Sequence, residues 1–222
     1  MRCEMAGGLF GRAEDKTMKT RYGKSVLIVF GIFLGWSIAD GQADAAKFNR
    51  VLDIGKEAPA WNDLRGTDDK THSLADLKTA KAVVVVFTCN HCPVAQAYEK
   101  RLIKLASEYR KKGVETVAIS VSRYESDDLE SMKKRSTEQQ YSFDYLQDTT
   151  QKIGKDYGAL GTPHVFLLDS KRRIAYMGSV DDSMYPEKVQ RQFLQDAIDA
   201  VLAGKPVEIE ETKPVGCPID FE

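Results

Sequence analysis

Two cysteines separated by two residues, Cys89 and Cys92, are the part of this sequence best suited to chemistry. They stand in the stretch VVVVFTCNHCPVAQAYEKRL, between an apolar run that begins at Val83 and a helical pattern. A sulfur at the amino end of a helix meets free N–H groups and the positive end of the helix dipole. Both lower the pKa of a thiol and favour the nucleophilic thiolate. The stretch therefore predicts a reactive thiol at Cys89, one helical turn from Cys92.

A cysteine pair with this spacing can carry out reversible dithiol chemistry. We expect Cys89 to attack a substrate disulfide, and Cys92 to displace the product thiol from the mixed disulfide and close a Cys89–Cys92 bond. A charged His91 ring near the Cys89 sulfur would stabilise the thiolate further, and Asn90 could add a hydrogen-bond donor. The alternative is a static structural disulfide, with His91 as a solvated loop residue.

The same sulfurs are also potential metal ligands. Structural zinc takes four ligands, and the sequence offers one CxxC pair without a second cluster, so no zinc site is predicted. Copper fits better, because Cys89, Cys92 and a histidine such as His164 are ligands of the type that it prefers. Dithiol exchange itself requires neither a metal nor an organic cofactor, and none is expected.

A second motif, GTPHVFLLD, places Thr162 and Pro163 directly before a β-rich run. Proline cannot donate to a sheet ladder, so at this position it indicates a tight turn. The bond between the two residues is either cis, as X–Pro bonds in tight turns sometimes are, or an ordinary trans bond.

The charges of the chain nearly cancel, with 32 Lys and Arg against 33 Asp and Glu among 222 residues. Binding to a phosphate backbone needs a basic surplus, so nucleic acid is not an expected partner. The length fits one domain, or at most two small ones. We expect the main domain over residues 46–204, followed by an irregular tail over residues 205–222.

The first 45 residues have the organisation of a signal peptide. Basic residues precede the apolar run 25–39, which is shorter than the roughly 20 residues of a membrane-spanning helix. Small residues follow, and cleavage is expected after Ala45. Met18 is a natural start for such a signal. If translation begins there, residues 1–17 are an extension assigned in error. An uncleaved anchor over 25–39 is the alternative, and in both cases the rest of the chain is expected outside the cytoplasm.

Export would place the chain in an oxidising compartment, where disulfides persist. The chain has four cysteines and Cys3 lies in the predicted signal peptide, so three remain. Three is an odd number, which leaves one thiol unpaired, transiently paired or bonded to another molecule. Cys217, in the tail, is either a free or structural thiol, or a third thiol on a mobile segment that reaches the CxxC site.

The elements around these motifs predict an α/β fold. The run KAVVVVF suits a strand buried on both faces, and apolar residues recur at helical spacing after Pro93. A later helix is expected to have Ser126 as its N-cap, and the last helix is expected to start at Pro186. The order of elements indicates a central mixed β-sheet flanked by helices, with an N-terminal β-hairpin extension.

Three stretches together resemble the thioredoxin-fold superfamily, in particular its peroxiredoxin-like, thiol–disulfide-oxidoreductase branch with redoxin or alkyl hydroperoxide reductase/thiol-specific antioxidant domains. They are GKEAPAW with THSLADLKTAKAVVVVF, FTCNHCPVAQAYEKRL and GTPHVFLLD, and the resemblance covers nearly all of residues 47–222. It implies a thioredoxin-like fold with Cys89 attacking, Cys92 resolving and Pro163 as a cis-proline that helps to hold the substrate backbone. The residues expected to contact substrate beside them are Thr88, Asn90 and Thr162.

The chain departs from the patterns of both groups. Thioredoxins carry W-C-G-P-C, and here Thr88, Asn90 and His91 replace the tryptophan, glycine and proline. Their buried aspartate on the central strand would fall at Val83. The peroxiredoxin pattern P-x-x-x-T-x-x-C is absent before either site cysteine.

We therefore expect an exported thiol–disulfide oxidoreductase whose partners are protein thiols and disulfides or a thioredoxin-like reductant. One alternative is a peroxide-reducing antioxidant enzyme, with Cys89 or Cys92 as the peroxidatic thiol and Cys217 as the resolving thiol. Another is a non-enzymatic copper carrier that uses the CxxC pair and a histidine. Membrane contact is expected only through segment 25–39.

Overall fold

The computed structural model describes residues 46–222. The predicted signal peptide, residues 1–45 with the apolar segment 25–39, lies outside the described residues. Within residues 46–222, no helix is both long enough and apolar enough to cross a membrane. The tail belongs to the same structural unit as the rest of the described chain.

A seven-stranded mixed sheet forms the centre of the fold, with strand order β2-β1-β5-β4-β3-β7-β8. In chain order the strands are β1 (Leu64–Gly66), β2 (Thr71–His72), β3 (Ala82–Phe87), β4 (Val114–Ser120), β5 (Asp144–Gln147), β6 (Gly161–Thr162), β7 (His164–Leu168), β8 (Ile174–Gly178) and β9 (Cys217–Pro218). Strands β3, β4 and β5 run parallel, and β7 returns antiparallel to β3. Strands β6 and β9 form a separate two-stranded sheet.

Helices cover both faces of the sheet. They are α1 (Pro93–Arg110), α2 (Leu129–Gln139), α3 (Lys152–Asp156) and α4 (Phe193–Leu202). The six residues of β3 are all buried and their side chains alternate between two apolar cores. Buried residues of α1, α2 and α4 belong to one core, and those of α3 and of the segment before β3 belong to the other. The predicted fold class, a mixed sheet flanked by helices behind an N-terminal hairpin, is confirmed.

Two predicted helix starts are wrong. The N-cap of α2 is Asp128, whose carboxylate accepts the N–H of Ser131 at 2.7 Å, while Ser126 lies in a preceding 3-10 turn. Pro186 also opens a 3-10 turn, and α4 begins at Phe193. The segment between them is held in non-helical form because Asp182 accepts the N–H of Gln190 at 3.0 Å.

The tail is docked against the domain, in contrast to the mobile segment predicted from its prolines. Strand β9 pairs antiparallel with β6, so that Cys217 stands opposite Thr162. Beyond β9, the N–H of Ile219 donates to the carbonyl of Leu160 at 3.3 Å, and the side chain of Gln151 donates to the carbonyl of Asp220 at 2.9 Å. These contacts fix the last residues beside the CxxC motif.

Candidate active site

The CxxC motif lies at the junction of β3 and α1, as the sequence predicts. Thr88 extends the sheet by donating its N–H to the carbonyl of Ile119 at 3.0 Å. Cys92 is the N-cap of α1, and its sulfur accepts the N–H of Ala95 at 3.3 Å. The sulfur that receives a helical N–H is therefore that of Cys92, while Cys89 lies in the loop before the helix.

The disulfide in the structure joins Cys92 to Cys217 and leaves Cys89 free, so the predicted Cys89–Cys92 bond is not the one present. The pairing of β9 with β6 is the physical reason, because it brings the Cα atoms of Cys92 and Cys217 to 6.0 Å, within the usual range for a disulfide. Cys89, Cys92 and Ala95 form a small apolar cluster, against which Cys217 packs. All three cysteines of the described chain are thus neighbours.

The sulfur of Cys89 lies between two polar groups. It is 3.5 Å from Oγ1 of Thr162 and 3.9 Å from Nε2 of His91. Burial raises the pKa of the Cys89 thiol above its ordinary value, the hydrogen bond with Thr162 opposes this rise, and the charge of Asp127 adds to it. The predicted lowered pKa is wrong, because desolvation outweighs the local dipoles. Cys89 at neutral pH is a thiol that needs a base.

Asp127 is the functional residue that sequence reasoning missed. Its carboxylate is fully buried, yet it accepts hydrogen bonds from the backbone N–H groups of Asn90 and His91, at 2.5 and 3.2 Å, and from the hydroxyl of Ser122, at 2.6 Å. The ring of His91 provides a fourth donor through Nδ1, at 2.5 Å. Asp127 is 36 positions from His91, so no local pattern links them.

This network assigns the tautomer of His91. A carboxylate can only accept, so Nδ1 of His91 carries the hydrogen that points to Asp127, and Nε2 keeps its lone pair toward the Cys89 sulfur. The ring of Tyr124 packs edge-on against His91, with 4.7 Å between centroids. Cys89, His91 and Asp127 thus have the arrangement of a nucleophile, a base and a group that orients the base.

A cleft of about 280 Å³ opens onto Cys89. Thr88, His91 and Thr162 also line it, as do the tail residues Pro218, Ile219, Asp220 and Glu222. Asn90, expected to contact substrate, is not among the lining residues. Its side chain donates to the carbonyl of Ser126 at 2.8 Å and accepts from the hydroxyl of Tyr145 at 3.1 Å, so it holds the loop in place.

The Thr162–Pro163 peptide bond is cis, as the resemblance implies. Pro163 is buried, and Thr162 before it contacts the sulfurs of both CxxC cysteines, through Oγ1 to Cys89 and through its carbonyl oxygen, 3.1 Å from the Cys92 sulfur. The two motifs singled out in the sequence are therefore brought together.

The copper ligand set proposed from the sequence is not assembled. Burial lowers the pKa of His164 to about 3, and its Nδ1 accepts the N–H of Leu160 at 3.2 Å. The candidate ligand atoms that converge within residues 46–222 are those of Cys89, His91 and Asp127, all within 4.8 Å of one another. The Asp127 carboxylate already accepts four hydrogen bonds, so only Cys89 and His91 remain as ligands. Two ligands are fewer than the four of a structural zinc site.

Comparison with known proteins agrees with this geometry. The fold is the thioredoxin-like fold seen in peroxiredoxin and thiol–disulfide interchange structures, and the family match supports a redox enzyme in general terms. The chain belongs to the AhpC/TSA family, which matches residues 54–177. The resemblance seen in the sequence is thereby confirmed. A search of curated proteins found no match.

Three solved structures illustrate the relationship. An uncharacterized conserved protein from Geobacillus kaustophilus is 35% identical, with a TM-score of 0.73, over 78% of this chain and 95% of that one. A hypothetical protein from Sinorhizobium meliloti is 31% identical, with a TM-score of 0.73, over 80% and 99%. A protein assigned as the thiol:disulfide interchange protein DsbE from Chlorobium tepidum is 23% identical, with a TM-score of 0.57, over 68% and 99%, and shares the fold.

Proposed function

We propose that this protein is an exported thiol–disulfide oxidoreductase in which Cys89 attacks the disulfide of a partner protein and Cys92 resolves the mixed disulfide. The observation that carries the proposal is the position of the free Cys89 sulfur, which faces a cleft between the His91–Asp127 pair and the Thr162–Pro163 turn. Export rests on the signal-like organisation of residues 1–45.

The first step needs a base, because burial raises the pKa of Cys89. Nε2 of His91 takes the thiol proton while the sulfur attacks the partner disulfide. A bond forms between Cys89 and one partner sulfur, the partner's S–S bond breaks, and its second sulfur leaves with the electron pair. The buried carboxylate of Asp127 stabilises the imidazolium, which then protonates the leaving sulfur.

The second step uses the form of the protein in which Cys92 is reduced. Cys92 gives its thiol proton to water, and the N–H of Ala95 at the start of α1, which donates to the Cys92 sulfur, stabilises the thiolate as it forms. This thiolate attacks Cys89 in the mixed disulfide, a Cys89–Cys92 bond forms, and the remaining partner sulfur leaves as a thiolate that takes a proton from water. A protein dithiol or a thioredoxin-like reductant returns the enzyme to the reduced form.

The proposal is tested on the full chain, fully reduced and then mixed with oxidised glutathione. Samples are quenched with acid, alkylated and mapped by mass spectrometry. We expect glutathione on Cys89, followed by a Cys89–Cys92 disulfide in the Cys217→Ser variant, where the third thiol is removed. Cys89→Ser is expected to lose the reaction, whereas Ser107→Ala, a substitution on the exposed side of α1, serves as the control. A Cys89→Ser protein that exchanges at the wild-type rate would exclude the proposal.

The Cys92–Cys217 bond favours one second candidate, reduction of peroxide. In that reaction a site thiolate attacks one peroxide oxygen, the O–O bond breaks, the other oxygen leaves as hydroxide, and the sulfur becomes a sulfenic acid. A second thiol then condenses with the sulfenic acid to form a disulfide and water. Cys92 would then be the peroxidatic thiol and Cys217 the resolving thiol. Against this, Cys92 is fully buried and the cleft opens onto Cys89. Turnover of hydrogen peroxide that survives in Cys89→Ser but not in Cys92→Ser would favour this candidate.

A further inference from the structure

We propose that Cys217 is the last member of a three-thiol relay, in which the disulfide formed between Cys89 and Cys92 moves to Cys92–Cys217 and sets Cys89 free again. The inference rests on the proposed function, since that function supplies the Cys89–Cys92 bond. It assigns a catalytic role to the tail, with Cys217 as a thiol that reacts directly with Cys92.

The three cysteines converge on one residue, Thr162. Its hydroxyl oxygen is 3.5 Å from the Cys89 sulfur, and its carbonyl oxygen is 3.1 Å from the Cys92 sulfur. Its backbone pairs with that of Cys217 in the β6–β9 ladder. Cys92 therefore lies within reach of both other thiols without a change of fold. The structure shows the relay in its final state, with Cys92 bonded to Cys217 and Cys89 free.

The transfer step balances without an added oxidant or reductant. The Cys217 thiol gives its proton to water, and its sulfur attacks Cys92 in the Cys89–Cys92 disulfide. The Cys92–Cys217 bond forms, the Cys89–Cys92 bond breaks, and the electron pair leaves on the Cys89 sulfur. That sulfur takes a proton from water, and Nε2 of His91, 3.9 Å away, keeps its lone pair for the next turnover. One disulfide is consumed and one is made.

Burial indicates why the disulfide would be moved. Cys92 is fully buried and Cys89 is only 5% exposed, facing the cleft. Cys217 is half-buried and lies on the tail, so it is the most exposed of the three cysteines and the one that we expect an external dithiol reductant to attack. That reductant attacks Cys217, releases Cys92 as a thiolate, and its second thiol then resolves the mixed disulfide. The relay thus separates the thiol that meets the partner disulfide from the thiol that meets the reductant.

Two glycines allow the tail to approach this closely. A Cβ atom added at Gly216 would lie 2.0 Å from the carbonyl oxygen of Thr162 and 3.1 Å from the nitrogen of Pro163. One added at Gly161 would lie 2.9 Å from the carbonyl oxygen of Cys217. The opposing atoms belong to the backbone, so they cannot turn aside as a side chain could. We therefore expect Gly216→Ala to separate β9 from β6 and to move Cys217 away from Cys92.

The test follows the disulfides in time in the fully reduced full chain after mixing with oxidised glutathione, by acid quench, alkylation and mass spectrometry. In the wild type we expect glutathione on Cys89, then Cys89–Cys92, then Cys92–Cys217. In the Cys217→Ser variant the reaction should stop once the Cys89–Cys92 disulfide has formed. Gly216→Ala should form Cys89–Cys92 at the wild-type rate but transfer it about 100-fold more slowly, because displaced reacting atoms slow a step by about that factor. Val215→Ala, at the exposed neighbouring position, is the matched control.

Two results would overturn the relay while leaving the proposed function intact. One is formation of Cys92–Cys217 in Cys89→Ser at the wild-type rate, which would show that this bond arises without Cys89. The other is unchanged transfer in Gly216→Ala. A different result, the absence of any Cys89 adduct and of the Cys89–Cys92 bond in Cys217→Ser, would instead exclude the proposed function.

Discussion

The buried carboxylate of Asp127 lies 2.5 Å from Nδ1 of His91, and this contact determines which ring nitrogen faces Cys89. Because the carboxylate also accepts two backbone N–H groups and the Ser122 hydroxyl, it is held in place before any substrate binds. The loop that carries the CxxC motif and the turn before α2 are joined through this side chain and through the hydrogen bond from the Asn90 side chain to the carbonyl of Ser126. The Asp127–His91 pair therefore connects the packing of the loop with the reactivity of the Cys89 thiol.

His91 should matter most at neutral pH. His91→Ala removes the base for a thiol that is protonated there, and we expect Cys89 to react with oxidised glutathione about 100-fold more slowly. At pH values above the Cys89 pKa, the thiolate forms without help and the deficit should shrink. The measurement is the rate of Cys89 modification as a function of pH, followed by mass spectrometry.

His72→Ala is the matched control for this substitution, because His72 lies on β2 at the far edge of the sheet from β7 and pairs with Asp68. Its rate profile should match that of the wild type. A deficit in His91→Ala that stays constant into alkaline solution would contradict the role of His91 as a base and would indicate a purely structural one.

The titration of Cys89 itself gives a second prediction. Burial and the charge of Asp127 raise the thiol pKa, so the midpoint for alkylation of Cys89 by iodoacetamide should lie above the usual value of 9.0. The Cys92–Cys217 disulfide is kept intact, and the Cys89 peptide is quantified by mass spectrometry. A midpoint below 9.0 in the wild type would show that local dipoles outweigh desolvation.

Two substitutions should move this midpoint in opposite directions. Asp127→Asn removes a negative charge near the sulfur and should lower the pKa of Cys89. Thr162→Val removes the hydroxyl that lies 3.5 Å from the sulfur, and should raise the pKa because a hydrogen bond to the thiolate is lost. Shifts of the same sign in both variants would mean that the substitutions act by rearranging the loop.

The fold could be predicted from the sequence to a large extent because its signals are local. The β-branched run of β3 and the helical periodicity of α1 each lie within one window, and both elements are found where they were expected. The start of α4 was misplaced because it depends on hydrogen bonds from the loop at Asp182, which no local pattern reveals.

The site was predictable only in part, because some of its residues lie far apart in the sequence. Cys89, Cys92 and Pro163 stand in short motifs whose meaning does not depend on distant residues. Asp127 and Cys217 are brought to them only by the tertiary fold, through contacts across 36 and 125 positions. The pKa of Cys89 could not be predicted either, because its sign is decided by burial and a distant charge rather than by the helix that follows it.

Asp127 should also contribute to stability. Asp127→Ala leaves four donors without their acceptor, among them the buried N–H of Asn90, and we expect the free energy of unfolding to fall by about 3 kcal/mol. Asp127→Asn should cost less, because its amide oxygen can still accept the N–H groups of Asn90 and His91. Urea unfolding of the oxidised protein measures both. The control is Glu125→Ala, at an exposed position in the same 3-10 turn. An equal loss of unfolding free energy in this control would show that the hydrogen bonds to Asp127 are not the cause.

The Cys92–Cys217 bond closes a loop that spans 125 positions, so its reduction should lower the stability of the fold. Loop-closure entropy predicts a loss of about 2–4 kcal/mol in the free energy of unfolding when the disulfide is opened. Urea unfolding with and without a dithiol reductant measures this loss in the wild type. Cys217→Ser should match the reduced wild type and respond little to reductant, because β9 is then held only by its hydrogen bonds and side-chain contacts. If Cys217→Ser were as stable as the oxidised wild type, the bond would contribute nothing to the fold, and its role would lie in redox chemistry alone.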